Sequence, residues 1–573
     1  MRSAPSLPHR AAKALTCALW LSCLHCSRDQ TEAEAEAEAE AEADRHHSAA
    51  AIPPPVSDQP SETELSPGLA ASSPGPGKSA EVTTPASPHD NPPNTSGSAE
   101  SVRKDQALPP TDGPRVYAKS RHVWVRSMPT DKVQWIGYLW WGGSVRMRDE
   151  EPVPGAGCAK NWVPIEPRGW VCVDGERATT DPRDETLRAI YPFRPRVETP
   201  WPHRYAEVHA PARVYGQLPD AEVQASRERG YRAHIEAVRK ARHDPLAKPF
   251  PDFLGNVDAS LSGKAPPALP VLPKGLSERR DKVAARSAIA YVAEIDHFDR
   301  SFLLTSDLNW LPKDRVEKKP HSQFRGVELG RGIELPVAFF RGRDRPGFVL
   351  GEDGQFRELP EKFARLSYVE LAPQREQRGR VSYYRVKDED IWVSDRQAVV
   401  PRPRESTPWG APIGEPDTTG RARKGLATWI EASILGGWLV AFEGTSPRYA
   451  TMISAGRGGK PHPDKDPLAT ASTPTGRFPI GGKFKTATME SSSTPIVHAD
   501  VPWTQNFSGP HAIHSAYWHD DWGNLKSAGC VNVSPRDGKW LFEFTEPRVP
   551  EGWHGVRYVS RYGDGSTLLV IHE

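Results

Sequence analysis

Cys530 ends the run Ser527-Ala528-Gly529-Cys530 and is followed by Val531-Asn532. These residue types suit a nucleophile. A glycine just before a thiol lets a carbonyl approach the backbone closely. N–H groups at Gly529 and Cys530 can then face the oxygen of a tetrahedral intermediate, as an oxyanion hole. A thiol at its ordinary pKa is only partly ionised at neutral pH, so it needs a base, and an imidazole serves. His514 lies 16 residues upstream, closing the apolar pair Ala512-Ile513. That run predicts a strand, and a strand end is a rigid mount for a base. The pairing of Cys530 with His514 points to acyl transfer.

The other cysteines single out the same residue. Cys17, Cys23 and Cys26 lie in or just after the apolar run 14–24, which follows Arg2, Arg10 and Lys13. This is the layout of an export signal over residues 1–26, too short to span a bilayer. Leu21-Ser22-Cys23 resembles a bacterial lipobox, with Trp20 where an aliphatic residue is usual. The resemblance implies lipidation at Cys23, and export without a lipid is the alternative. In the mature chain only Cys158, Cys172 and Cys530 remain. Cys158 and Cys172 are close in sequence and are natural disulfide partners. That leaves Cys530 as the odd thiol of an oxidising compartment.

Further motifs follow in order: Thr473-Pro474-Thr475-Gly476, Asp500-Val501-Pro502-Trp503, Ser508-Gly509, His514-Ser515-Ala516-Tyr517-Trp518-His519 and Gly529-Cys530-Val531-Asn532-Val533-Ser534-Pro535. Over residues 428–573 this series resembles the L,D-transpeptidase catalytic domain, of YkuD type. The resemblance implies a β-sandwich in which Cys530 is the nucleophile, His514 its base, and Ser515 the residue that orients His514 through its carbonyl. It implies oxyanion N–H groups at Gly529 and Cys530, and a substrate pocket shaped by Asn532, Trp518, Met489 and Ser527. The implied partners are peptidoglycan stem peptides. D-Alanine leaves, a thioester forms, and an amine of another stem resolves it, with no cofactor or metal. Water, or a lysine of an envelope protein, is an alternative acceptor.

One departure matters. The family pattern Ser-His-Gly-Cys is here Ser527-Ala528-Gly529-Cys530, so a histidine is missing two residues before the nucleophile. This admits a catalytically silent wall-binding scaffold as a further alternative. His511, His514, His519 and Cys530 are also ligand types that zinc accepts, though the reading adopted has no metal. His519, Asp520 and Asp521 read as a solvent-facing loop.

The remaining chain must carry and position this domain. The elements around the motifs are short strands. Residues 429–434 and 438–444 predict a hairpin turning at Gly436-Gly437, and 567–571 predict a closing strand. Short aromatic and aliphatic runs between Gly and Pro turns predict β-rich modules at 114–181, 205–316 and 335–403, the second with a charged helical insertion near 220–242. They look like bacterial SH3-like barrels that bind wall, gate the site or act as spacers. Residues 27–113 are an acidic Glu-Ala repeat followed by a Pro-, Ser- and Thr-rich stretch, predicted to be a disordered linker. The fold class expected is therefore mainly β: a disordered linker, SH3-like modules, then the transpeptidase-type sandwich. A net charge of +1 gives no reason to expect nucleic acid or an acidic membrane surface as partner. The location implied is the periplasm or cell envelope, with membrane attachment only through the N-terminal lipid.

Overall fold

A computed structural model describes residue 108 and residues 112–243, 281–297, 300–318, 321–419, 428–490, 495–558 and 565–573. The signal run, Cys23 and the predicted linker up to residue 107 lie outside the described residues. The described chain is mainly β.

The first module holds β1 (Arg115–Ala118), β2 (Val123–Arg126), β3 (Trp135–Leu139), β4 (Ser144–Arg146), β5 (Asn161–Pro164), β6 (Trp170–Val173) and β7 (Ala178–Thr179), then helix α1 (Glu185–Ile190). Cys158 and Cys172 are joined by a disulfide. The second holds β8 (Arg204–Val208), β9 (Ala212–Arg213), α2 (Ala221–Arg227), α3 (Tyr231–His243), β10 (Lys282–Val283), β11 (Ala288–His297), β12 (Arg300–Thr305), β13 (Trp310–Pro312) and β14 (Val316–Lys318). The two helices are the charged insertion. They are held to the strands by Arg300, which grips Glu228 of the helical insertion and Asp314 together. After β15 (Val327–Glu328) the third module forms one seven-stranded sheet. Its strands are β16 (Val337–Phe340), β17 (Arg345–Leu350), β18 (Phe356–Phe363), β19 (Tyr368–Arg378), β20 (Val381–Val386), β21 (Trp392–Ser394) and β22 (Ala398–Val399).

The C-terminal segment is a sandwich. It holds β23 (Thr428–Ser433), β24 (Trp438–Glu443), β25 (Ser446–Met452), α4 (Pro467–Thr470), β26 (Gly476–Pro479), β27 (Gly482–Glu490), β28 (Val497–Ser508), β29 (His511–Ser515), β30 (Val531–Val533), α5 (Pro535–Phe544), β31 (Gly555–Arg557) and β32 (Leu568–His572). One layer is the six-stranded sheet β15-β25-β24-β23-β32-β26. Gly437, at φ 69°, makes the β23–β24 turn that the Gly-Gly pair predicts. The other layer carries β27 to β31. Ile430, Leu439, Ile453, Ile513, Val531 and Leu541 fill the space between the layers. The outer face of the six-stranded sheet is also covered: Trp429, Trp438 and Phe442 pack under Phe324, Phe339 and Trp409. Burial on both faces explains why β24 reads as a nearly continuous apolar run rather than an alternation.

The modules do not stand apart as self-contained barrels. The edge of the first, β3, pairs with β31 (Gly137↔Val556), and Trp553 and Val556 fill its core. The edge of the second, β11, meets β28 in parallel (Ala288↔His498). One hydrogen-bonded path therefore runs from the second module through β28, β27 and β31 into the first. Pairing removes exposed edges that separate barrels would have to protect.

A buried ion cluster sits at this three-way meeting. Asp500, with no solvent exposure, lies on β28 and faces Arg121 of the first module at 2.6 Å. Arg121 also pairs with Asp307 of the second module, bonds Thr488 at 2.8 Å and stacks on Trp140. Tyr205 of the second module donates to the Asp500 carbonyl at 3.0 Å. Burial works to raise the Asp500 pKa. The Arg121 guanidinium, joined by His203, Ser306 and His122, outweighs it and keeps the carboxyl below its ordinary range. Arg121→Met strands a buried carboxylate, and we expect it to cost about 3–5 kcal/mol in urea unfolding. Adding Asp500→Asn removes the stranded charge and is expected to recover part of that loss.

Candidate active site

Strands β29 and β30 run parallel, with Ile513 opposite Val531, His514 opposite Asn532 and Ser515 opposite Val533. Side chains alternate along a strand. Ile513, Val531 and Val533 point into the core between the layers. The alternation therefore places His514 and Asn532 on the opposite face, and carried back one residue it places Cys530 there too. Helix α5 begins directly after β30. Ser534 caps it, accepting from the Asp537 N–H at 3.1 Å. Asp537 accepts from Tyr449, Thr451 and the Gly326 N–H, and Lys483 bonds the Phe542 and Thr545 carbonyls at the far end. The helix is thus fastened at both ends, and β30 with it.

The turn before Cys530 is closed by Ser527. Its hydroxyl donates to the Cys530 carbonyl at 2.5 Å and accepts from the Gly529 N–H at 3.1 Å. Gly529 has φ 133°, and a Cβ there would stand 2.9 Å from His511 Nε2 and 3.0 Å from the Ser472 carbonyl. Only glycine fits. Two expectations change here. The Gly529 N–H is engaged within the turn, so it is not an open oxyanion donor, whereas the Cys530 N–H has no partner among the described residues. The Ser527 hydroxyl shapes the turn, with both its roles used locally, instead of facing substrate.

Cys530 is a free thiol, 8% exposed. Burial pushes its pKa up to about 11, against a smaller lowering by the Ala512 backbone. His514 is 1% exposed, and burial lowers its pKa to about 4. The Ser515 carbonyl opposes this in part, though neither ring nitrogen of His514 makes a hydrogen bond of normal geometry. The Ser515 side chain turns away and packs against Gly538 of α5. At neutral pH the resting pair is therefore thiol and neutral imidazole. Trp518 stands over the site, its ring 5.7 Å from His514 and 4.1 Å from His498. Met489 is 1% exposed in a cluster with Tyr205, Ala288 and Tyr517, so it backs Trp518 instead of lining open space.

The loop after Trp518 faces solvent only in part: the Asp521 side chain is 49% exposed, whereas His519 and Asp520 are tied into the fold. His519 Nε2 lies 3.1 Å from the Asn532 amide, and His519 Nδ1 accepts from the Asp521 N–H. Asp520 accepts from Trp522 at 2.7 Å and from Arg365 of the third module at 3.0 Å, and also bonds Ser322. Arg341 of the same module bonds the Gly523 carbonyl. Charged residues at this spacing carry no periodic signal that distinguishes a loop bonded into the fold from a freely solvated one, and His498 is equally silent in the sequence. Among the described residues no group of three or more His, Cys, Asp or Glu side chains is placed to hold a metal ion.

Two pH dependences follow. Alkylation of Cys530 in the free protein is expected to rise about tenfold per unit from about pH 7 to about pH 10, with no plateau. A plateau below pH 8 contradicts the raised thiol. Burial holds His498 near 3, His514 near 4 and His519 near 3, against an ordinary 6.5. Below pH 6.5 the unfolded chain binds protons that the folded chain refuses, so stability falls as pH drops from there toward 4. Thermal melts across that range are expected to show a falling midpoint.

No curated protein matches the chain. Among solved structures, an L,D-transpeptidase from Enterococcus faecium is 22% identical, over 26% of this chain and 50% of its own, with a TM-score of 0.19. One from Stackebrandtia nassauensis is 19% identical, over 26% and 56%, with a TM-score of 0.17. One from Mycobacterium smegmatis is 12% identical, over 48% and 90%, with a TM-score of 0.19. This chain spans about half the length of the first of them. The chain carries, at residues 428–555, a segment that matches the family of the L,D-transpeptidase catalytic domain, YkuD.

Proposed function

We propose that this protein is an L,D-transpeptidase that acts on peptidoglycan stem peptides through a thioester on Cys530. The observation that carries the reading is local. A free thiol stands directly before one strand of a parallel pair whose other strand carries a buried imidazole, inside the segment that matches the catalytic family. The covalent steps, the roles of individual residues, the envelope location and the lipid on Cys23 belong to this proposal.

The chemistry runs as follows. The Cys530 sulfur attacks the carbonyl that joins the third stem residue to the terminal D-alanine. An S–C bond forms, and the thiol proton passes to His514. Because burial favours the neutral form of both groups, the proton moves in step with attack and not before it. The Cys530 N–H is the donor available to the developing oxyanion. The C–N bond then breaks, and His514 returns the proton to the departing D-alanine amine. The side-chain amine of a second stem attacks the thioester. A new amide forms, the C–S bond breaks, and the amine proton returns through His514 to sulfur. Neutral partners on both sides also suit a site closed to bulk water, which limits loss of the thioester to hydrolysis.

Ala528 remains the feature that favours a silent scaffold. Against it stand the intact turn around Gly529 and the fastening of β30. Intact-protein mass spectrometry with a diaminopimelate-containing tetrapeptide decides between them. We expect a mass gain equal to the stem minus D-alanine in the wild type and none in Cys530→Ala. His514→Ala is expected to slow adduct formation about 10²–10⁴-fold. A folded wild type that forms no adduct and turns over no stem would sink the enzyme reading.

A further inference from the structure

The tautomer of His519 decides which end of the Asn532 amide faces the cleft. Asp521 donates its backbone N–H to His519 Nδ1 at 3.2 Å, so Nδ1 carries a lone pair. A neutral imidazole holds one ring proton, which is then on Nε2. As placed, the amide Nδ2 of Asn532 is the atom 3.1 Å from Nε2 and Oδ1 is the far end, which would set two donors face to face. Only the amide oxygen can accept that proton. Rotating the amide half a turn exchanges two atoms of nearly equal size, so packing does not resist it. The far end of the amide is buried and has no partner among the described residues. In this orientation it is the NH2 group, beside His514 on the face that carries Cys530.

We propose, resting on the acyl-transfer reading above, that His519 is a positioning residue: it turns the Asn532 amide so that its NH2 group donates to a carbonyl oxygen of the bound stem peptide. A buried NH2 without an acceptor is costly, and a peptide carbonyl in the cleft relieves that cost. His519 is itself set from outside the catalytic domain. The next residue, Asp520, is gripped by Arg365, and the Gly523 carbonyl by Arg341. The third module therefore fixes the loop that fixes the amide.

The test uses the full exported chain. With ¹⁵N-histidine labelling, assigned by comparison with His519→Gln, His519 is expected as the Nε2–H tautomer. The Nδ1–H tautomer overturns the proposal, whatever the activity. In turnover of the tetrapeptide, His519→Leu is expected to raise KM about tenfold with kcat within about threefold of wild type. His519→Gln, whose NH2 reaches the same oxygen, is expected to recover to within about threefold of wild type. In an Asn532→Ala background, His519→Leu is expected to add no further loss. Equal losses from Leu and Gln, or losses that add to Asn532→Ala, overturn it. If the wild type forms no adduct, the acyl-transfer reading fails, and the tautomer still decides the role of His519.

Discussion

Asp500 is a carboxylate with no solvent exposure, and much of the architecture follows from neutralising it. Such a charge is tolerated only beside an opposite one with its remaining lone pairs bonded. Its cation, Arg121, comes from a module nearly four hundred residues earlier in sequence. Arg121 in turn holds Asp307 of the next module. One guanidinium thus ties together three segments that the hydrogen-bonded path β11-β28-β27-β31-β3 also joins. The first two modules are fixed parts of the layer that carries the thiol. A large swing of the first module would leave Asp500 without its cation, and one of the second would break the Arg121–Asp307 pair and the Tyr205 hydrogen bond.

Rigidity of that layer matters for the chemistry. Thiol and imidazole are both held neutral by burial, so neither is poised by a stable ion pair. On the proposed acyl-transfer reading, their reactivity depends on being in place when substrate arrives. The parallel register of β29 and β30 supplies the placement, and the clamps on α5 keep the register from slipping. The nucleophile turn contributes through Ser527, which uses both its hydrogen-bonding roles to hold Gly529 and Cys530.

The third module acts on the opposite side. It covers the outer face of the six-stranded sheet through Phe339 and Val399, and its arginines reach the loop after Trp518. That loop carries the histidine bonded to Asn532. A module for which the sequence left wall binding, gating and spacing all open is, by these contacts, continuous with the walls of the candidate site.

The sequence by itself singled out the candidate nucleophile, the candidate base and the segment that matches the catalytic family. Cys530 and His514 are legible because their chemistry demands a small-residue turn and a strand end, and both are local patterns. The β23–β24 hairpin and the helical insertion are legible for the same reason: turn chemistry and periodicity act over a few residues. The tertiary structure alone decided the rest. That Gly529 spends its N–H on Ser527 depends on the path of one turn. That Met489 is hidden behind Trp518 depends on the second module packing there. That Asp520 and His519 are hubs depends on arginines more than 150 residues away. Polar residues in a loop look alike in sequence whether they face water or a distant partner, because burial is a property of what packs against them and not of the residue itself.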